Sequence, residues 1–342
     1  MGPKEGTMPA FVVESNRTTA RGRWPAWLRP GNVSALYLLA AIVAFFALRV
    51  PDTFLTTTTL RTILARDAVT GIVALGLILP LATNNFDLSI GGSLGLGGVI
   101  AGWMQVKQGH PLWLAILVAM VCGIAIGLVN AVLVVKFRVD SFIATLATSS
   151  VLTGIILKVS NSQQITGLSQ GFKDIAQRQL LGVALPVYYF AVLGIALWFV
   201  LEHTPLGRYL YATGGGKEAA RLAGVQIDRY VFGALVCSAT IAALAGVIEA
   251  ATVSSASKDV GATFVLPCFA AAFFGATQLK GGRFNVWGTV LAVYTVATGV
   301  KGLELWTDET WVKHVFYGVV LATAVALANF QGQSLLKRFK GR

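Results

Sequence analysis

Residues 112–135 read LWLAILVAMVCGIAIGLVNAVLVV, a run of 24 residues without a charged side chain. As a helix rising 1.5 Å per residue, the run is about 36 Å long, which is enough to cross the roughly 30 Å hydrocarbon core of a bilayer. Nine further apolar runs lie near residues 33–50, 60–82, 88–106, 141–159, 184–203, 231–253, 262–279, 284–303 and 312–330. We therefore expect an all-α polytopic membrane protein with about ten transmembrane helices.

Two of these runs are weaker than the others. The run at 60–82 begins with Arg61, Arg66 and Asp67, and the run at 262–279 is short and contains Pro267. The sequence leaves open whether these two segments span the bilayer completely.

The composition excludes an ordinary soluble protein. Hydrophobic residues make up 55% of the 342 residues and charged residues 12%, about half the share usual in soluble domains. A net charge of +12 would suggest nucleic acid as a partner of a soluble protein. Here the basic residues gather in a few loops and at the chain ends, as the positive-inside bias requires. We expect membrane lipid around the chain and no nucleic acid.

The loop charges also predict an orientation. Ten crossings with the N-terminus inside put most basic residues in the cytoplasm, and the opposite side receives few. The predicted cytoplasmic segments are the tail 1–32, Lys136 and Arg138, the loop 204–230, Lys280 and Arg283, and the basic tail 331–342. The transmembrane domain then covers residues 33–330, and both termini are cytoplasmic.

Ten crossings divide into two sets of five. An odd number in each set makes the two halves enter the membrane from opposite sides, which is the arrangement of an inverted repeat. Each half carries a glycine-rich stretch, Gly91–Gly98 in the first and Gly275–Gly288 in the second. Glycines at such positions equally serve the close approach of helices, so both interpretations stay open.

A polar and basic stretch, GRYLYATGGGKEAARLAGVQIDR, interrupts the apolar runs at residues 207–229. Its GGGKE segment is similar in letters to a phosphate-binding loop. However, Glu218 replaces the magnesium-binding Ser or Thr of that loop, and Tyr211 stands where the loop needs a glycine. We therefore expect no ATP site and no bound cofactor in this chain.

The second part of the same stretch favours a short helix. Ala and Leu within Lys217–Leu222 are good helix formers, and Gly224 can end the helix after one or two turns. We expect the preceding glycines to let the chain turn sharply. A helix this short is too small to hold itself at the surface, so a partner or the rest of the protein should hold it.

A group of polar residues lies between two apolar runs, in the segment Asn84, Asn85, Asp87 and Ser89. A carboxylate at mid-membrane costs about 2.5 to 3.5 kcal/mol on insertion scales, so Asp87 should lie near an interface or be solvated inside the bundle. In one interpretation Asp87 caps the next helix, with Asn85 doing the same one turn earlier. In the other, these side chains line a solute pathway. The two are compatible.

Hydroxyl side chains recur along the run 141–159 at spacings of three and four residues, which places them on one helix face. They are Ser141, Thr145, Thr148, Ser149 and Thr153. Such a face could line a passage for a polyhydroxylated solute. Small hydroxyl residues equally serve tight helix packing in bilayers.

Glu249 is a carboxylate late in the run 231–253 and is either a functional residue inside the bundle or an ordinary interfacial carboxylate. The histidines at 110, 203 and 314 are too scattered for a metal cluster. No nucleophile, metal or paired-carboxylate constellation is visible, so we expect neither an enzyme nor a metal site.

On these residues the chain resembles the integral-membrane permease family of bacterial ABC importers for ribose, xylose, galactose and related monosaccharides. The resemblance covers roughly residues 54–328. The segments that carry it, in order, are Asn84–Gly91, Ser141–Gly154, Thr204–Val225 and Gly275–Gly288. The chain departs from the family's pattern at Asn85–Phe86 and at Leu266–Phe269, which leaves the sugar open.

The resemblance implies a multi-pass protein of the bacterial inner membrane that works with three partners. These are cytoplasmic ATPase subunits that bind ATP and magnesium, a periplasmic or lipid-anchored sugar-binding protein, and a second permease copy or paralogue. It implies an ATPase-coupling helix at Gly214, Lys217, Glu218, Ala219, Ala220, Arg221, Leu222 and Gly224. It also implies pathway roles for Asp87, Ser89, Thr145 and Thr148, beside which we place Asn84, Asn85 and Glu249.

The function expected from the sequence is inward transport of a monosaccharide or related polyol by alternating access, driven by the partner ATPase. The alternative is a stand-alone secondary transporter of a small polar solute. Such a protein needs charged residues inside its spans for ion coupling, and the spans offer only Glu249 and the pair Arg66 and Asp67.

Overall fold

A computed structural model describes residues 34–279, 282–307 and 309–340, with the backbone alone for residues 34 and 328–340. The described chain is almost wholly helical, so the all-α prediction is confirmed. The helices are α1 Ser34–Arg49, α2 Pro51–Phe54, α3 Thr57–Ala82, α4 Ile90–Val106, α5 Leu112–Ala131, α6 Ser141–Ser160, α7 Gln170–Gln177, α8 Leu185–His203, α9 Pro205–Gly215, α10 Lys217–Leu222, α11 Ile227–Thr252, α12 Val260–Ala276, α13 Val286–Trp306 and α14 Trp311–Lys340. A π-helical turn, Val132–Lys136, continues α5, and two short strands, β1 Gln179–Leu180 and β2 Val183–Ala184, pair antiparallel.

Every predicted apolar run coincides with a helix. Six helices are long and apolar enough to cross a membrane, namely α3, α5 with its π-helical turn, α6, α8, α11 and α13. The apolar parts of α1, α4, α12 and α14 are shorter than 18 residues. The run at 60–82, for which the sequence left a complete crossing open, lies in α3 and is thus among these six. The count of ten crossings and the inverted halves stay predictions.

Glycines bring α4 into direct backbone contact with α11 and α12 at the centre of the bundle. A Cβ atom built on Gly98 would lie 2.7 Å from the carbonyl oxygen of Gly246. One built on Gly91 would lie 2.7 Å from the carbonyl oxygen of Gly261. Real Cβ atoms do not approach oxygen so closely, so only glycine permits these crossings. This favours the close-packing interpretation of Gly91–Gly98.

The glycines of the second half also serve close packing. A Cβ atom on Gly275 would lie 2.6 Å from the backbone of Thr289, one residue after Gly288. Asn285 caps α13 by accepting the amide of Gly288 at 2.7 Å. The end of α12 and the start of α13 therefore pack closely against each other.

The loops meet at two ends of the bundle. At one end, which we call the outer end, Ile165 pairs with Ala256, and Gln105 contacts Ser169. At the opposite end, the inner end, lie α10, the loop between α5 and α6, and the loop between α12 and α13. Arg138, the loop 204–230 and Arg283 were predicted to share the cytoplasm, and the structure brings them together here, since Arg138 contacts Asp228 and Arg283 contacts Tyr211. Lys280, predicted with them, lies outside the described residues.

The predicted cytoplasmic loop 204–230 is mostly helical. The polar stretch contains α9 and α10, and α11 begins at Ile227. Of the glycines before α10, which were expected to let the chain turn sharply, Gly214 and Gly215 complete α9 and Gly216 separates α9 from α10. The predicted tail 1–32 lies outside the described residues, and the backbone of α14 continues through most of the predicted tail 331–342.

Candidate functional site

The short helix predicted after the glycines is α10, at the inner end. It ends near Gly224, whose φ of +82° is in the left-handed region that favours glycine. Ala220 is buried and packs in a cluster with Ile227 and Val231 of α11. Leu222, on the same helix, is 90% exposed. Therefore α10 is fixed to the bundle by one side and presents an apolar side chain on the other.

Two charged residues flank that apolar side chain. Glu218 Oε1 lies 3.4 Å from Arg221 Nη1, and both side chains are mostly exposed. An ion pair of this kind contributes about 0 to 1 kcal/mol to stability. Its charges are therefore available to a partner at little cost to the fold.

A tyrosine links α9 to the second half of the chain. The hydroxyl of Tyr211 donates to the carbonyl oxygen of Phe284 at 2.7 Å. The guanidinium carbon of Arg283 lies 3.5 Å from the centre of the Tyr211 ring, within cation–π distance. Burial raises the pKa of Tyr211, so the phenol stays a donor. Tyr211 therefore joins α9 to the residues just before α13.

The same helix touches the segment between α3 and α4. A Cβ atom on Gly214 would collide with the carbonyl of Ala82 and lie 3.2 Å from the amide of Asn84. Gly214 therefore lets α9 pack directly on the end of α3. The predicted coupling residues and the first predicted pathway residues are neighbours.

Hydroxyl groups of α6 hold the segment 83–89. The amide of Phe86 donates to Ser141 Oγ at 3.0 Å, and the amide of Leu88 donates to Thr145 Oγ1 at 2.9 Å. Thr148 donates to the carbonyl of Ala144 at 3.0 Å. These hydroxyls are buried and bonded in this conformation, whereas Thr153 is exposed. Their role in a pathway stays a prediction.

Asp87 is completely buried at the centre of a polar network. Its Oδ1 accepts from the hydroxyl of Ser89 at 2.6 Å and from the amide of Ser89 at 3.1 Å. The side-chain amide of Asn130 donates to the Ser89 hydroxyl at 2.8 Å. Asp87 therefore fastens the residue before α4 rather than capping the amides within its first turn. Asn85 donates to Thr83 instead of acting as a cap.

Two members of this region, Asn130 of α5 and Ser238 of α11, were not predicted from the sequence. Both are buried, and Asn130 Oδ1, Ser238 Oγ and Asp87 Oδ2 have no hydrogen-bond partner within the described part of the chain. Asn130 carried a usable signal, because it is the only Asn in the run 112–135. Asn84, in contrast, is exposed.

The two departures from the family's pattern lie against each other. The rings of Phe86 and Phe269 are stacked with centroids 6.5 Å apart, and Phe273 stacks on both. Phe86 belongs to the same segment as Asn84, whose amide lies close to Gly214. Residues from both departures thus form one aromatic contact between α12 and the segment 83–89.

Glu249 lies on the wall of a cavity of about 520 Å³. The wall is formed by residues of α3, α11, α12, α13 and α14, and we call this space the outer cavity, because it lies toward the outer end. Arg66 and Asp67 are on the same wall. The three charged residues that the sequence offered within the spans therefore share one cavity. Within the described residues, no group of His, Cys, Asp or Glu could hold a metal ion.

Apolar helices around a charged cavity, with a partly exposed surface helix at one end, define a multi-pass membrane protein of the transport class. The family described as "Branched-chain amino acid transport system / permease component" matches residues 59–325. The chain belongs to this permease family.

Several proteins similar to this chain are permeases named after sugars. The chain is 33% identical to the ribose import permease protein of Escherichia coli K12, over 89% of this chain and 95% of that protein. It is 29% identical to the D-allose transport system permease protein of the same strain, over 85% of this chain and 89% of that protein. It is 26% identical to that strain's xylose transport system permease protein, over 87% and 92%. The predicted resemblance to sugar permeases is confirmed. No solved structure matches the chain.

Proposed function

We propose that this chain is the permease subunit of an ATP-driven importer that moves a monosaccharide into the cytoplasm by alternating access. The ribose, allose and xylose names of its relatives support a sugar. The family's description names branched-chain amino acids instead. We propose a sugar because these three relatives each align with 85% or more of this chain.

The proposed ATPase contact is α10, with Gly214 and Gly224 at its borders. The observation that carries this assignment is Leu222, which is 90% exposed on a helix fixed to the bundle through Ala220. Buried apolar anchors ringed by polar residues supply most of the energy of protein interfaces. Leu222, flanked by Glu218 and Arg221, has this arrangement.

The remaining partners follow from the same proposal. ATP and magnesium bind to the partner ATPase, and a second permease copy or a paralogue completes the membrane unit. The sugar-binding protein docks at the outer end, where Leu181, at the tip of the β1–β2 hairpin, is 91% exposed. The termini face the cytoplasm of a bacterial inner membrane, with all ten apolar helices crossing it.

The proposed transmission runs from α10 through α9. Closure of the ATPases moves α10, and α9 presses on the segment 83–89 through Gly214 and on the loop before α13 through Tyr211. Both halves then respond to one movement. Coupling requires that each partner bind the two states with different affinity.

A charge reversal of α10 tests the proposal. We expect Glu218→Lys combined with Arg221→Glu to leave the protein inserted but to uncouple sugar uptake from ATP hydrolysis in proteoliposomes that contain the whole importer. The matched control reverses an exposed ion pair at the inner end but outside α10, Arg138→Asp with Asp228→Arg. Normal uptake per ATP by the α10 variant would refute the contact.

The alternative function is a secondary transporter. The observation in its favour is that Asp67, Glu249 and Arg66 share the outer cavity, as ion-coupled transport would require. Sugar uptake that follows a proton or sodium gradient without ATP would establish this alternative.

A further inference from the structure

The outer cavity has the size and the chemistry of a small-molecule site. Its volume of about 520 Å³ is within the range of roughly 300 to 1,000 Å³ typical of ligand pockets. Three basic and three acidic side chains line it, so the formal charges cancel. They are Arg66, Asp67, Glu249, Lys301, Glu304 and Lys313.

Glu304 stands at the centre of these charges without a short ion pair to any of the three cations. Its Oε2 lies 3.8 Å from Arg66 Nη1 and 3.9 Å from Lys301 Nζ, and its Oε1 lies 4.0 Å from Lys313 Nζ. Elsewhere in the chain, Arg138 and Asp228 form an ion pair at 2.8 Å. Each contact of Glu304 is thus about 1 Å longer than a charge-assisted hydrogen bond.

Hydroxyl groups fit these long contacts. An oxygen about 2.8 Å from both partners bridges a separation near 4 Å when the angle at that oxygen is close to a right angle. A hydroxyl donates to the carboxylate and accepts from the cation at the same time. Three such contacts around one carboxylate suit a molecule with several neighbouring hydroxyls, and the rings of Phe264 and Tyr317 add apolar faces to the wall.

We propose that the outer cavity binds the transported solute as a neutral, polyhydroxylated molecule, with Glu304 as the central acceptor and Arg66, Lys301 and Lys313 as donors. Each of these contacts is made to a hydroxyl group, and none of them requires a charge on the solute. This inference rests on the proposed function and names the sugar's site within it.

Glu304→Gln tests the role of the central acceptor, with Glu309→Gln as the matched control, because Glu309 is exposed outside the cavity. In the whole importer we expect the KM for sugar uptake to rise about tenfold or more with Glu304→Gln, since a hydrogen bond to a charged group is lost. The control should change KM by less than roughly twofold. No uptake by the wild type would count against the proposed function, whereas normal uptake with an unchanged KM in Glu304→Gln would overturn this inference alone.

A labelling measurement keeps the inference testable if Glu304→Gln does not fold. Thr263 lines the cavity, and Gln108 is exposed at the outer end away from it. In the purified chain, labelling of Thr263→Cys by a membrane-impermeant thiol reagent is compared with that of Gln108→Cys, with the reaction of the native cysteines subtracted. The probes are D-ribose, D-allose, D-xylose and D-galactose, with D-ribose 5-phosphate as the charged analogue.

We expect at least one neutral sugar to slow the labelling of Thr263→Cys and to leave that of Gln108→Cys unchanged, and the phosphorylated sugar to protect neither. Equal labelling with and without every neutral sugar would overturn the inference. So would protection by D-ribose 5-phosphate alone, because it would show a cavity that selects an anion.

Discussion

Tyr211 is the side chain through which the proposed coupling reaches the second half of the chain, and its loss should uncouple transport. In Tyr211→Phe the hydrogen bond to the carbonyl of Phe284, 2.7 Å long in the structure, is removed. Such a bond contributes about 0.5 to 1.5 kcal/mol, which corresponds to about a two- to tenfold change in an equilibrium. We expect the number of sugar molecules imported per ATP to fall by this factor.

Tyr211→Ala also removes the cation–π contact with Arg283, which adds about 0.5 to 2 kcal/mol. The effect should therefore exceed that of Tyr211→Phe. The assay measures uptake of labelled sugar and release of phosphate in the same proteoliposomes.

The control is Tyr209→Phe on the same helix, since the Tyr209 ring packs on Tyr230 and no protein hydrogen bond of its hydroxyl is found among the described residues. Binding of the ATPase to the permease should be unchanged in all three variants, because none of the altered side chains belongs to α10. If both Tyr211 variants import as much sugar per ATP as Tyr209→Phe, the transmission through α9 is refuted.

Three further predictions concern the packing that supports this transmission. Gly246→Ala should destabilise the chain by about 1 to 3 kcal/mol, because its Cβ would collide with the α4 backbone. Gly233→Ala is the control, because a Cβ atom there meets open space. Thermal unfolding in detergent compares the two variants, and equal midpoints would contradict the close crossing of α4 and α11. Asp87→Ala should cost about 1 to 3 kcal/mol in the same measurement, because the Ser89 hydroxyl loses its buried acceptor, and an unchanged midpoint would refute the network. A double-mutant cycle of Phe86→Leu and Phe269→Leu should give a coupling energy of about 0.5 to 1.5 kcal/mol, and additive effects would show that the rings do not interact.

The long helices were predictable from the sequence, because a run of apolar residues long enough to cross a bilayer forms a helix there. The runs at 112–135 and 231–253 contain enough apolar residues to cross a bilayer, and no local alternative competes. The short α10 was also predictable, because helix formers are followed by Gly224. The packing of Gly214 was not predictable, because a sequence does not show that the backbone of Ala82 lies against it.

The candidate site was only partly predictable. Glu249, Arg66 and Asp67 could be named as charges within apolar runs, but their meeting in one cavity depends on how α3 and α11 pack. Glu304 was not found, since it lies at the end of an apolar run where a carboxylate is ordinary. Its position among three cations arises from α3, α13 and α14 together, and spacing along the chain does not encode it.

The most direct test of the central proposal is sugar accumulation in proteoliposomes that contain the chain, its partner ATPase and the sugar-binding protein. We predict that sugar accumulates above its external concentration only when hydrolysable ATP reaches the ATPase, and that a non-hydrolysable analogue abolishes this accumulation. Accumulation that persists without ATP hydrolysis and follows an imposed proton or sodium gradient would contradict the proposal.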